Sequence, residues 1–248
     1  DYQLIFRYAW TSSDQFGFIK TSTIINNGTQ IQDITLLDGI QNIMPCGVPS
    51  DLQNNASNLV HAYKRSELDA ESGLGLFALS AIISDKAEPS EALKANVVWS
   101  TGLAADAYLL SSKQLDFFRY RRSIESETDV KGEKGAYFIS KKLHLKPAET
   151  QDWCIIADVN KTHSQVFELI KTIQTDRDIS AKIQSNIYQG TQNLIQLVES
   201  ADGIQHSNDL LQDSRNFANV MFNIMRGGIF DDVYQVDRSD FEKYLRKA

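Results

Sequence analysis

The stretch TQDWCIIADVNKTHSQVFELIKTI, residues 150–173, contains the point at which the apolar pattern of this chain changes. Up to Val159 the pattern is typical of a β-strand, whereas apolar residues beyond it recur at the spacing of one helix face. That helical stripe consists of Val166, Leu169, Ile170 and Ile173. All four prolines and nine of the thirteen glycines precede residue 160. The sequence therefore predicts two domains, a β-sandwich over 1–160 and a helical region over 161–248.

The first 160 residues contain about eight strand-like segments, separated by turn-forming clusters such as Asn26-Asn27-Gly28. They are a first segment in which Tyr2, Leu4, Phe6 and Tyr8 share one face, then 16–25, 31–37, 59–65, 74–83, 93–100, 135–145 and 150–159. The only helical pattern among them is a short insert at 111–120. Because no long helices alternate with the strands, we predict antiparallel sheets in a mainly β fold rather than a parallel α/β sheet.

The helical region contains three further amphipathic patterns after the first helix. The second helix is predicted from Ile179 to Val198, the third around Phe217 to Ile224, and a last one around Phe241. Asp202-Gly203 separates the second from the third, and Gly227-Gly228 ends the third, because paired glycines suit a left-handed helix cap. Asp237 is the predicted N-cap of the last helix.

Charge and length exclude several classes of function. The 248 residues carry a formal charge of −7, which opposes the basic surface that nucleic acids and anionic membranes attract. No apolar run approaches the ~20 residues that cross a bilayer. We therefore expect neither a nucleic-acid nor a membrane partner.

Because the chain starts without Met and stops within a helical pattern, we expect a segment of a longer protein.

Motifs for metal, nucleotide or nucleophilic chemistry are missing from the sequence. The four histidines have no ligand at metal-site spacing, and no GxSxG, Walker or GxGxxG sequence occurs. We therefore predict no metal and no cofactor, whereas a pair of acid–base carboxylates has no motif by which the sequence could show it. His144 is predicted to lie on the surface, since it alternates with Leu143 and Leu145. Cys154 is predicted to be a buried apolar residue, and Cys46 is too distant in sequence to form a framework with it.

Two charged clusters have a functional and a structural interpretation. Glu67, Asp69 and Glu71 would share one strand face, and a solvated rim is favoured over catalytic work. Residues 119–122, with three arginines around Tyr120, could hold a phosphate or a carboxylate. Local pairing with Glu125 and Glu127 is the favoured alternative for the arginines.

Aromatic residues on the strand-like segments are candidate sugar platforms, because flat apolar faces stack on sugar rings. The set comprises Tyr2, Tyr8, Trp10, Phe16, Phe18, Tyr63 and Trp99. Most of them are predicted to fill the core of the sandwich. Trp10, followed by a polar stretch, is the best candidate for an exposed platform. The predicted carbohydrate-binding residues are Trp10, Tyr63 and Trp99.

The order of these segments resembles the N-terminal part of cellobiose-phosphorylase-like and oligoglucan-phosphorylase-like glycoside phosphorylases. The residues that carry the resemblance lie at 59–67, 91–93, 97–100, 114–118, 132–138, 145–149, 201–205 and 215–228. The resemblance implies a large antiparallel β-supersandwich of galactose-mutarotase type, followed by linker helices and the start of a helical toroid. It covers most of the chain.

In that family the general acid and the phosphate-binding residues lie on the toroid, so the resemblance implies a segment that is inactive alone. Its implied partners are a β-glucan oligosaccharide, the catalytic helical domain of the same chain, and a second copy in a homodimer. A phosphorylase is expected in the cytoplasm, with the periplasm as the alternative. Arg226, Gly227 and Gly228 are a candidate cleft element, although a helix cap is the favoured interpretation.

Two alternatives stay open at this point. The chain could be a complete mutarotase-like or lyase-like sugar enzyme, which would need two acid–base groups converging on a concave sheet face. It could instead be a protein–protein interaction module that uses the apolar stripes around Phe217 and Phe241.

Overall fold

A computed structural model of the chain describes residues 3–81, 93–228 and 235–247. In chain order the elements are β1 (Leu4–Ser13), β2 (Gly17–Asn26), β3 (Gln32–Ile43), α1 (Ser50–Asn55), α2 (Ser57–Tyr63), β4 (Lys64–Asp69), β5 (Leu74–Leu79), β6 (Lys94–Thr101), β7 (Ala107–Leu109), α3 (Leu115–Arg119), β8 (Asp129–Lys131), β9 (Gly135–Leu145), β10 (Thr150–Thr162), α4 (His163–Thr175), α5 (Ile179–Ser200), α6 (Leu210–Met225) and α7 (Arg238–Leu245). This β-sandwich with helices confirms the predicted fold class.

The chain divides between residues 184 and 185 into two compact units. The first unit contains all the described strands, and the second contains most of α5, with α6 and α7. The domain boundary predicted at residue 160 stays a prediction.

Two antiparallel sheets form the sandwich of the first unit. Sheet A has seven strands in the order β1-β2-β10-β6-β5-β4-β8, and sheet B has three in the order β3-β9-β7. The core between them is a cluster of buried side chains: Ile24, Phe77, Val98, Leu110, Tyr137, Ile139, Leu143, Leu145, Trp153 and Ile155. Alternate residues of β9 face this core, and the others lie on the outer face of sheet B. There Leu115 and Ile124 pack against a cluster of Leu109, Ala136 and Phe138.

The predicted strand at 59–65 is wrong for its first five residues, because α2 continues to Tyr63 and β4 begins at Lys64. Val60 is the buried residue of α2, and one buried position does not distinguish a helical from a strand period. The short elements α1, β7 and β8 had no predicted counterpart. Tyr2 and residues 82–92, which include the end of the predicted strand 74–83 and part of the 91–93 motif, lie outside the described residues.

The helix ends in the second unit follow capping rules. The Asp237 side chain accepts hydrogen bonds from the backbone of Ser239 and Asp240, which confirms it as an N-cap. At the end of α6, Gly227 has a φ of 73°, and the N–H of Gly228 donates to the carbonyl of Asn223 at 2.8 Å. This is a Schellman motif with glycine at its left-handed position. Among the described residues, no helix is both long and apolar enough to span a bilayer.

Candidate functional site

Four aromatic side chains line an open groove on the sheet A surface that faces sheet B. Phe6, Tyr8 and Trp10 alternate along β1, and Phe18 lies on the neighbouring β2. Their exposed fractions are 45%, 61%, 53% and 58%. We call the site the aromatic groove; its volume is about 540 Å³, and its lining consists of these four residues with Lys20, Gly39, Ile40, Gln41 and Ala157.

The groove is open because sheet B does not reach the edge of sheet A. β1 is an edge strand of sheet A and β3 is an edge strand of sheet B. Asp38 of β3 contacts Lys20 and Ser22 of β2, so the edge of sheet B lies above the second strand of sheet A. The described residues include no strand of sheet B beyond β3. None of the described strands therefore covers the aromatic row of β1.

This arrangement corrects one expectation about the aromatic residues. Phe16 and Trp99 are buried. Because Trp99 alternates with Val98 of the core, it lies on the other face of sheet A, where it lines a pocket with Phe16, and not between the sheets as predicted. Tyr8 and Phe18 are exposed, so the prediction of a core position is wrong for these two. Tyr2 lies outside the described residues.

A buried polar network forms the floor of the aromatic groove. Asp38, with 8% of its surface exposed, pairs with the Lys20 ammonium. It also accepts hydrogen bonds from the Ser22 hydroxyl at 3.0 Å and from Trp153 Nε1 at 2.8 Å. Lys20 Nζ lies 5.5 Å from the Tyr8 ring centroid, close enough for a cation–π interaction. The network fixes the ammonium beside the aromatic row.

The groove lining gives no support to a complete sugar enzyme. Among the described residues that line it, none is a carboxylic acid or a histidine. The nearby Asp38 is occupied by three donors and has little exposed surface. A converging acid–base pair is therefore not present in this part of the described chain.

The three predicted sugar-binding residues are not brought together. Trp10 lies in the aromatic groove, whereas Tyr63 ends α2 and is half-buried. Trp99 lies on β6, three strands from β1, and exposes only 1% of its surface. Trp99 borders a pocket of about 410 Å³ beside α4, which is separate from the aromatic groove. The sequence reasoning missed Phe6 as a groove residue and favoured a core position for Tyr8 and Phe18, although alternation did place Phe6 and Tyr8 on one face.

Arg226, Gly227 and Gly228 form the end of α6. The Schellman hydrogen bonds account for both glycines as a cap. The Arg226 guanidinium lies 5.2 Å from the Phe222 ring centroid, on the same helix. The favoured interpretation as a cap agrees with this geometry, and a role at a cleft stays a prediction.

The three carboxylates of the predicted acidic rim are bonded separately, two to residues close in sequence and one to a residue of α4. Glu67 pairs with Arg65 at 2.9 Å, Asp69 bonds to Ser72, and Glu71 accepts from the Gln174 amide at 3.4 Å. The three carboxylates therefore have different partners and do not form one site. Within the described residues, no cluster of three or more His, Cys, Asp or Glu has metal-site geometry.

The predictions for His144 and Cys154 are confirmed. His144 is exposed, and its Nδ1 lies 2.7 Å from Asp33, the residue opposite it on β3. Cys154 is buried, and this burial raises the pKa of its thiol. Both Cys154 and Cys46 are free thiols.

His61 makes stability depend on pH. Its Nδ1 is buried, with no hydrogen-bond partner among the described residues. Burial, followed by the charges of Lys64 and Lys134, lowers the pKa of the imidazole below its ordinary 6.5. The unfolded chain therefore takes up this proton at a higher pH than the folded protein does. The resulting stability is present above pH 6.5 and is lost as the pH falls below it.

We expect the His61→Gln variant to lose less stability than the wild type between pH 7 and pH 5. Urea unfolding of both proteins at pH 8, 7 and 5 measures this difference. The comparison at pH 8, where the imidazole is neutral in both states, isolates the effect of the substitution itself. If the free energy of unfolding falls equally in the two proteins between pH 7 and pH 5, the pH dependence does not come from His61.

Comparisons with known proteins find similarity to solved structures but no match by sequence. No protein-family model matches the chain, and no curated protein matches it. The chain is similar to a solved structure described as "Putative kojibiose phosphorylase from human microbiome", with a TM-score of 0.42 and 9% sequence identity. The similarity covers 89% of this chain and 25% of that chain, so this chain spans about a quarter of its length.

Proposed function

We propose that the chain is a non-catalytic, carbohydrate-binding segment of a glycoside phosphorylase or hydrolase that acts on β-glucan oligosaccharides. The aromatic groove is its sugar-binding site. The observation that supports this proposal most directly is the row of exposed rings on β1, which a sandwich would otherwise bury. Exposed aromatic faces beside a few fixed polar groups are typical of small-molecule binding sites.

The length of the row favours an oligosaccharide over a single sugar. Phe6 and Trp10 are four residues apart on one strand, which corresponds to about 13 Å. The Phe6 and Tyr8 ring centroids are 6.2 Å apart, so these two rings are neighbours in the row. Affinity is therefore expected to rise with the number of sugar units until the row is filled.

Polar groups at the groove can orient the sugar hydroxyls. The Lys20 ammonium is a donor fixed by Asp38, and the exposed Gln41 amide donates to Ser112 at 3.0 Å. A lysine held by a buried carboxylate keeps its position without the entropic cost of ordering a free side chain. Lys20 and Gln41 are the groups that we assign to hydroxyl recognition.

Calorimetric titration with glucose oligosaccharides of increasing length, including β-1,2- and β-1,4-linked series, tests the proposal. Trp10→Ala and Tyr8→Ala are each expected to weaken binding by about 10-fold, since each removes one stacking ring. Tyr188→Ala is the matched control, because Tyr188 is 65% exposed on α5 and lies outside the groove. Its affinity is expected to equal that of the wild type.

Absence of binding to every oligosaccharide would overturn the sugar role. It would favour the groove as a contact surface for the catalytic domain or for a second copy of the chain. Equal losses in Tyr8→Ala and Tyr188→Ala would also contradict the assignment. Glycosidase or phosphorylase activity in the purified chain would contradict the non-catalytic part of the proposal.

A further inference from the structure

The arginines of residues 119–122 do not pair with the nearby glutamates. Arg119 pairs with Asp116 at 2.8 Å, and the Glu127 carboxylate accepts from the backbone of Leu110 and Ser111. Within the described residues, no ion pair joins Arg121 or Arg122 to a carboxylate. The interpretation that Glu125 and Glu127 neutralise the cluster is therefore wrong.

These arginines border a cavity of about 910 Å³ on the outer face of sheet B, which we call the arginine cavity. Its lining consists of Asp33, Ile34, Thr35, Asp106, Ala107, Phe118, Arg119, Arg121, Arg122, Ser123, Ile124, Ser140 and Lys142. Both carboxylates have other partners, since Asp33 contacts His144 and Asp106 contacts Lys141 at 2.6 Å. When the partners Asp116 and Lys141 are counted with the lining, five cationic side chains stand against three carboxylates, an excess of two positive charges in a chain of net charge −7.

The backbone holds Arg121 in a conformation that favours glycine. Its φ is 55°, in the left-handed region. The N–H of Arg122 donates to the Phe117 carbonyl at 2.8 Å, and that of Arg121 to the Phe118 carbonyl at 2.9 Å. This is the same Schellman motif that ends α6, where Gly227 occupies the equivalent position. An arginine in a strained glycine position points to a role for its side chain.

We propose that the arginine cavity binds a small phosphorylated organic molecule. Its phosphate contacts the guanidinium groups of Arg121 and Arg122, and its organic body lies against Phe118 and Ile124. A phosphate dianion matches the excess of two positive charges, and planar guanidiniums bind phosphate oxygens in pairs. The volume lies in the range of cavities that bind whole small molecules and exceeds what a free phosphate needs. The arginine cavity and the aromatic groove share no lining residue.

Calorimetric titration with glucose 6-phosphate as the probe tests this proposal. Arg121→Gln and Arg122→Gln are each expected to weaken binding by about 10-fold or more, because each removes a charge-assisted contact. Arg177→Gln, at an exposed position in the turn before α5, removes the same charge and is expected to keep wild-type affinity. Added salt is expected to weaken the binding. Glucose is the uncharged reference, and any affinity for it is expected to be the same in the wild type and in all three variants.

Arg121→Gly separates binding from folding. Glycine suits the left-handed position, so the melting temperature is expected to equal or exceed that of the wild type while affinity falls as in Arg121→Gln. Wild-type chain that binds neither glucose 6-phosphate nor inorganic phosphate would overturn the proposal. So would unchanged affinity in both arginine variants. Equal affinity for inorganic phosphate and glucose 6-phosphate would contradict the contact of an organic body with Phe118 and Ile124.

Discussion

Replacing Asp38 by Ala is expected to lower the free energy of unfolding by about 3–5 kcal/mol. The carboxylate lies between the sheets, where it pairs with Lys20 and accepts from Ser22 and Trp153. Its removal leaves a buried ammonium without a counter-charge, and leaves a hydroxyl and an indole N–H without an acceptor. The cost comes from these unpaired groups, since an intact buried pair is itself worth little.

Asp33→Ala is the matched control for this variant. Asp33 lies on the same strand, is exposed, and contacts His144 at the surface, so its loss is expected to change stability by no more than about 1 kcal/mol. Urea unfolding at pH 7 measures both variants. Asp38→Asn, which keeps an acceptor oxygen but no charge, is expected to fall between the wild type and Asp38→Ala. A change below about 1 kcal/mol in Asp38→Ala would show that the network does not hold the two sheets together.

Alternation along the chain predicted the strands well but not which strand faces are covered. The period of two placed Phe6 and Tyr8 on one face, and that is what β1 shows. Whether this face is buried depends on strand order, which pairs β2 with β10 from more than 120 residues away. It also depends on the narrowness of sheet B, whose edge strand β3 leaves β1 uncovered. The exposed aromatic row was therefore not predictable from local pattern.

The Schellman motifs after α6 and α3 show that local sequence pattern also fails to identify a proposed binding residue. Paired glycines marked the end of α6 in the sequence, and the structure has the predicted cap there. The identical motif after α3 has Arg121 at the glycine position, so no local signal revealed it. The sequence shows that residues 119–122 are basic, but it does not show which carboxylates pair with these arginines. Glu127 bonds to backbone amides because the chain turns back toward β7, a tertiary feature.

Replacing Trp153 by Ala is expected to lower the free energy of unfolding by about 3–5 kcal/mol, because it leaves a cavity between the sheets. Trp153 exposes 1% of its surface, and its ring centroid lies 6.0 Å from that of Phe6. The substitution also removes the indole donor to Asp38. Trp153→Phe keeps most of the ring and loses only that donor, so a cost of about 1–3 kcal/mol is expected. Chemical denaturation of the two variants distinguishes packing from hydrogen bonding.

Trp10→Ala is the matched control, because the two tryptophans have opposite expected effects. Trp10 is 53% exposed at the groove, so its removal is expected to change stability by less than about 1 kcal/mol while weakening oligosaccharide binding. Trp153→Phe is expected to keep that binding, since its ring still packs behind Phe6. A stability loss in Trp10→Ala as large as that in Trp153→Ala would mean that the aromatic row supports the fold. The rings of β1 would then be structural, and their exposure would need an explanation other than ligand binding.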